Sequence, residues 1–258
     1  MPSFSIVFWL VGGLFLGMLL MLEVGRRLGL RRLRIDPEGA HAGTGVVEGA
    51  FFALLGLMIA FTFSGAAGRF DDRRALVTEE VNHIGTAWLR IDLLPEAAHL
   101  PMRQLFRDYV DSRLAIYQRV HEGEDYQAEL SRSRQLQDDI WRLGARSAHA
   151  SPTPALVALF LNTTNDMIDI TTTRTAATQI HPPSIIFIML TVLALAGAML
   201  AGDAMARSKT RSWAHLLGFA VLVSLTVYVI VDLEYPRVGF IRVDAIDQLL
   251  VELRKSMD

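Results

Sequence analysis

The sequence predicts an all-α integral membrane protein with four transmembrane helices and a helical extramembrane domain inserted between the second and third. Hydrophobic residues make up 52% of the 258 residues, and most of them are gathered into four long apolar blocks. A polar segment of 116 residues separates the second block from the third. No stretch shows the two-residue alternation that is typical of a half-buried strand.

Each apolar block is long enough to cross a hydrocarbon core of about 30 Å as a helix. The first block has no basic residue ahead of it, unlike a cleaved signal peptide, so we expect it to remain in the mature protein. A Pro-Pro pair precedes the third block. The predicted spans are Phe4–Leu22, Gly49–Gly68, Ile185–Gly202 and Trp213–Val231.

The spans divide the chain into four regions. Residues 1–68 hold the first two spans and a short basic loop, and residues 185–231 hold the last two. Residues 69–184 carry 13 Arg and 16 acidic residues and form the extramembrane domain, in which apolar residues recur at helical spacing. Residues 232–258 show the same spacing, so we expect this C-terminal segment to dock on that domain.

The basic residues of the short loops predict the orientation. Loop Glu23–Glu48 contains five Arg, and loop Asp203–Ser212 contains three basic residues. Short basic loops stay in the cytoplasm, whereas long domains are translocated largely regardless of charge. We therefore expect a multi-pass membrane protein with both termini and the extramembrane domain outside the cytoplasm.

The second span has the most regular pattern in the chain. Alternating steps of four and three from Gly49 to Ile91 give thirteen positions, of which twelve are small or apolar. No proline lies between Pro37 and Pro95, so a single continuous helix is expected. Small residues in its membrane half allow close helix approach, and larger ones follow Arg69. Self-association and packing on the other spans both explain this seam.

Composition excludes several function classes. A formal net charge of −2 and a pI near 6.4 argue against nucleic acid as a partner. With no Cys the chain has no thiolate nucleophile, disulfide or iron–sulfur cluster. The glycine-rich phosphate loops, the zinc-protease motif and the serine-hydrolase motif are all missing. We therefore expect neither an enzyme nor a cofactor.

The spacing Glu-x-x-His, which supplies ligands in di-iron helix bundles, occurs three times. Only one of the three lies in a segment with a clear helical pattern, and a single pair cannot hold two metals. The sequence therefore predicts no metal site. The three pairs are Glu38/His41, Glu80/His83 and Glu96/His99.

Several short polar residues fall on one helical face shortly before the third span. Asp166 and Asp169 are its carboxylates, with Asn162, Asn165 and Thr173 beside them. Carboxylates in this position can gather ions at a pore mouth. A solvated face, or ion pairs with Arg residues, explains the same pattern.

The chain resembles a known family at the exit of the second span and after the fourth span. The similar residues are Phe61–Arg74, Glu79-Glu80 with Ile84–Arg90, and Asp232–Glu234 with Pro236-Arg237 and Gly239, and the family is a bacterial bestrophin-like membrane family. The resemblance implies a location in the bacterial inner membrane. The resemblance implies a distant relation to bestrophins, which are pentameric anion channels with four spans per subunit and a pore lined by the second span. Bestrophins keep the extramembrane domain in the cytoplasm, opposite to the orientation that the loop charges predict.

The leading hypothesis is a homo-oligomeric, anion-conducting channel in the lipid bilayer, a pentamer by analogy, whose second span surrounds the path of inorganic ions. Aromatic rings there would gate by dewetting, and hydroxyls would face the ion. The alternative is a non-conducting scaffold or sensor whose helical domain binds a partner. The candidate pore-lining residues are Phe52, Gly56, Ala60, Thr62, Phe63 and Ser64. The candidate pore-mouth or ion-binding residues are Glu79, Glu80, His83, Asp166 and Asp169.

Overall fold

The computed structural model describes residues 4–35, 44–122, 125–206, 213–235, 240–241 and 244–258. These ranges contain helices and no strand, which confirms the predicted fold class. The α-helices are α1 (Phe4–Ile35), α2 (Thr44–Leu89), α3 (Glu96–Glu122), α4 (Gln127–Ala150), α5 (Pro154–Gln179), α6 (Ser184–Met205), α7 (Trp213–Glu234) and α8 (Asp244–Lys255).

Helix α2 is continuous over 46 residues, as the lack of proline predicts. It ends at Leu89, a few residues before Pro95 in the sequence, because the residue before a proline is pushed out of helical geometry. A 3₁₀ turn, Arg90–Leu93, forms first, and Leu94 is then extended, with a ψ of 161°. The following helix α3 begins at Glu96, directly after the proline.

The chain forms two compact units, and α2 contributes to both. The first unit comprises residues 1–70 and 181–240, and the second comprises residues 71–180 and 241–258. The first therefore contains α1, α6, α7 and the membrane half of α2. The second contains α3, α4, α5, α8 and the remainder of α2. Of the C-terminal segment, residues 232–240 belong to the first unit and residues 241–258 to the second.

In the first unit, glycines bring α1 and α6 into backbone contact. A Cβ atom built on Gly25 would lie 1.9 Å from the carbonyl oxygen of Met199, and one on Gly202 would lie 2.1 Å from that of Leu22. Lipid offers no hydrophobic drive for helix association, so such close packing is a main source of attraction between spans. Gly25 and Gly202 therefore fix the pairing of the first and third spans.

The second unit has an apolar core of its own. Large side chains from five helical segments fill it, and Ile84, Met102, Phe106, Ile140 and Phe160 have no exposed surface. Helix α8 joins this core through Leu250. Arg254 of α8 also donates from Nε to Oδ1 of Asp111 at 2.8 Å. The chain after residue 243 is thus part of the second unit.

Candidate functional site

The membrane half of α2 is the least covered of the apolar helices. Four helical stretches are long and apolar enough to cross a membrane. In the apolar stretch of this half, 11% of the residues are buried inside the chain. The corresponding shares in the other three helical stretches are 22%, 28% and 44%. A span that its own chain leaves this open has its surface available to lipid, to other copies or to a pore.

The covered side of this half-helix is narrow. Leu55, Thr62 and Ala66 are buried on it. Gly197 of α6 packs there, because a Cβ built on it would lie 3.4–3.5 Å from Leu55 and the neighbouring phenylalanine rings. The opposite side is exposed and carries both small and large apolar residues, Leu57 among the large ones. Its small members include Gly49, Ala53, Gly56, Ala60 and Ser64.

The structure divides the six predicted pore-lining residues between the two sides of α2. Four of them are exposed, namely Gly56, Ala60, Phe63 and Ser64. Thr62 is buried, and its hydroxyl donates to the carbonyl of Met58 at 2.7 Å. Phe52 is half-buried, with its ring edge-to-face on Phe219 of α7, 6.0 Å between centroids. No contact tests whether any of them lines a pore, so their role stays a prediction.

An ion-pair cluster lies at the end of the same unit. Arg69 of α2 donates from Nε to Oε1 of Glu234 at 2.7 Å, and the carboxylate of Glu234 is almost fully buried. His181 lies 3.5 Å from the second oxygen of Glu234 and stacks on Tyr235, 4.6 Å between ring centroids. The cluster connects α2, at the point where its polar half begins, to the C-terminal end of α7.

Beyond Phe70 the predicted seam is not an outer surface. Val77, Ile84, Trp88 and Ile91 are buried within the second unit. Their burial there removes them from any surface that could meet another copy. In this half the seam packs into the apolar core of the second unit, which is neither of the two predicted explanations, self-association or packing on the other spans. The small residues of the membrane half remain exposed.

Four of the five predicted pore-mouth residues form two groups in the second unit. Glu79 and His83 lie on α2, with 3.7 Å between Oε1 and Nε2, and Glu79 is exposed. Asp166 and Asp169 are exposed on α5. The amide nitrogen of Asn165 donates to Asp169 at 3.0 Å. These carboxylates face solvent in the described chain, and their part in ion binding stays a prediction.

Glu80 has a different environment from the other predicted acids, because it is completely buried. Arg113 donates from Nε to its Oε1 at 2.7 Å, Tyr117 donates to its Oε2 at 3.0 Å, and Arg174 also pairs with Oε2. Burial lowers the pKa of Arg113, but the neighbouring phenols of Tyr117 and Tyr109 raise it, and the net pKa is above its ordinary value. Glu80 is therefore the centre of a buried charged network.

Sequence reasoning missed Arg113 as the partner of Glu80, although the pattern held a signal. On α3 the apolar residues Met102, Phe106, Tyr109 and Tyr117 mark one face at steps of three and four, and Arg113 falls on that face. A charged residue on a core-facing stripe requires a buried counter-charge. That requirement points to an acidic residue on the buried face of a neighbouring helix.

Comparison with known proteins identifies the family. The sequence-family model of the bestrophin-like domain matches residues 12–246. The chain belongs to the bestrophin-like domain family. No curated protein is significantly similar to it in sequence.

Two solved structures share the bestrophin-like fold of this chain. Both are point variants of a bacterial bestrophin homologue from Klebsiella pneumoniae. The first has 12% sequence identity and a TM-score of 0.69, covering 94% of this chain and 98% of the other. The second has 13% identity and a TM-score of 0.67, covering 93% and 96%. At identities this low, the two structures show the fold alone. This fold and the four apolar helices together identify a membrane protein of bestrophin-like architecture.

Within the described part of this bestrophin-like chain, no three His, Cys, Asp or Glu residues come together to hold a metal ion. Glu80 is occupied by its two arginines. The ring nitrogen Nε2 of His99 lies 2.8 Å from the carbonyl oxygen of Leu94. The first pair, Glu38/His41, lies outside the described residues.

Proposed function

We propose that this chain forms a homo-oligomeric bestrophin-like ion channel whose pore is lined by the membrane half of α2. One observation carries the proposal, namely the broad side of this half-helix that the chain itself leaves uncovered. The small residues of that side, from Gly49 to Ser64, suit contact between helices more than contact with lipid. Kinship with bestrophins supports a ring of copies, and a pentamer is the number it favours.

The exposed residues of α2 supply the parts that conduction requires. Gly49, Gly56 and Gly68 have open space around the position of a Cβ atom, so another helix or a water column can approach the backbone. Phe63 supplies an aromatic ring for a constriction that gates by dewetting. The hydroxyl of Thr62 is already used by its own backbone. Ser64 is therefore the hydroxyl that remains for the ion.

Anion selectivity is the finer part of the proposal and rests on the kinship. The first charged side chains after Arg69 along α2 are the exposed carboxylates of Asp71 and Asp72, and rings of carboxylates favour cations. Arg74 lies 3.6 Å from Asp71 and offsets part of this charge. The selectivity therefore depends on how much of this negative charge an ion meets.

Liposomes containing the purified protein are expected to pass ions, with a reversal potential that follows the chloride gradient. Phe63→Ala is expected to change the flux several-fold, because it removes the ring at the proposed constriction. Phe8→Ala is the matched control, since Phe8 is an exposed ring on α1. A reversal potential that follows sodium would overturn anion selectivity alone. No flux under any voltage, salt or pH would favour the non-conducting scaffold.

The orientation is part of the same proposal. The basic loops put the termini and the second unit outside the cytoplasm of a bacterial inner membrane, whereas kinship with bestrophins favours the reverse. Because the chain has no Cys, single cysteines report sidedness without background. We expect Ala128→Cys to react with an impermeant thiol reagent added to intact cells, and Arg31→Cys to react only after lysis. The reverse pattern would overturn the charge-based orientation.

A further inference from the structure

An open cavity of about 320 Å³ lies in the second unit, between α3, α4 and α5. Arg113 and Arg134 both line it, and the rest of its wall is mostly hydroxyl and amide side chains, among them Ser133, Thr172 and Gln179. None of the residues that line it is acidic. The cavity therefore offers positive charge and neutral hydrogen-bonding groups to whatever enters it.

Arg113 is a fixed element of this wall. Its side chain is 6% exposed, Nε donates to Glu80, and Nη2 donates to the hydroxyl of Tyr117 at 2.6 Å. These contacts hold the guanidinium plane in one orientation before any ligand arrives. The N–H groups of Nη1 are the part of this fork that neither contact uses. Arginine in such a held geometry is suited to a carboxylate or phosphate oxygen.

Arg134 supplies the second charge, from the rim of the cavity. It is exposed on α4 and has no carboxylate partner within the described ranges. Other arginines of α4 do have one, since Arg132 lies 3.9 Å from Glu129 and Arg142 lies 3.1 Å from Asp139. Arg134 is therefore free to pair with an anion that enters the cavity.

We propose that this cavity binds a small organic anion, whose carboxylate or phosphate group is held by Arg113 and Arg134. Its volume lies at the lower end of the range of about 300–1,000 Å³ for small-molecule sites. This exceeds what a bare inorganic ion fills, and it leaves Ser133, Thr172 and Gln179 for the hydroxyl or amide groups of the ligand. Because Arg113 also pairs with Glu80, a bound anion shares its guanidinium with α2.

The test is calorimetric titration of the purified full chain in detergent at constant ionic strength. The probes are citrate, glucose 6-phosphate and inorganic phosphate, with glucose as the neutral comparison. We expect at least one organic anion to bind, and Arg134→Gln to weaken it about tenfold, the loss of one charge-assisted hydrogen bond. Arg146→Gln is the matched control, an exposed arginine of the same helix that does not line the cavity. We expect it to leave the affinity unchanged.

Thr172→Trp provides a second variant, because it fills the cavity from an exposed position and leaves both arginines in place. We expect it to abolish binding while the unfolding temperature is retained. Preference for citrate would make the ligand a carboxylate, and preference for glucose 6-phosphate would make it a phosphate ester; either result supports the site. No binding of any probe up to about 10 mM would overturn the proposal. Equal weakening by Arg134→Gln and Arg146→Gln would also overturn it.

Discussion

Replacing Gly25 with alanine is expected to destabilise the first unit by about 3 kcal/mol or more, the upper end of the cost of overpacking. The new methyl group would lie 1.9 Å from the carbonyl oxygen of Met199, which is backbone and cannot rotate away. Helices α1 and α6 would have to separate, and close contacts along the pair would be lost. The readout is the loss of folded protein on heating in detergent, followed by size-exclusion chromatography.

Gly12→Ala is the matched control, because Gly12 lies on the same helix and a Cβ there meets nothing within 4 Å. We expect that variant to unfold at or slightly above the temperature of the parent, since alanine favours helix over glycine. Equal stability of the Gly25 and Gly12 variants would contradict the close α1–α6 packing.

Replacing Glu80 with alanine is expected to cost about 3–5 kcal/mol, the typical loss when one partner of a buried ion pair is removed. Arg113 and Arg174 would be left close together without the carboxylate that pairs with both. The buried Arg113 would keep its hydrogen bond to the hydroxyl of Tyr117 but would lose its counter-charge. The free energy of unfolding, from denaturant titration in detergent, measures the loss.

Glu79→Ala provides the comparison for Glu80. This neighbouring residue is also a glutamate on α2, but it is exposed, and its nearest ionic contact is His83 at 3.7 Å. A surface substitution of this kind changes stability by less than about 0.5 kcal/mol. If the Glu80 variant were as stable as the Glu79 variant, the buried network would be wrong.

The fold followed from features that act locally. In lipid, a single apolar block can pair its backbone N–H and C=O groups only as a helix. The four spans could therefore be located from the charge-free blocks of the sequence. Pro95 limits the C-terminal end of α2, and the absence of proline before it lets the helix continue unbroken. These constraints depend on neighbouring residues alone, so they can be applied without knowledge of the tertiary structure.

The site was harder to predict because it depends on which face of α2 the rest of the chain covers. The periodicity of Gly49, Ala60, Val77 and Ile84 is the same whether a copy, another span or the chain's own core covers it. Only the tertiary packing separates the exposed membrane half from the buried half beyond Phe70. The same reason hid the role of Glu80, since its partners lie 33 and 94 residues away along the chain.

The most direct test of the central claim is block of ion flux by a charged thiol reagent at a single cysteine on the uncovered side of α2. Ser64→Cys is the variant, and Thr191→Cys, a similarly exposed hydroxyl position on α6, is the control. If α2 lines the pore, the reagent should block flux through liposomes containing the Ser64 variant and leave the Thr191 variant conducting. Block of the Thr191 variant alone, or of neither variant despite labelling of both, would contradict the claim.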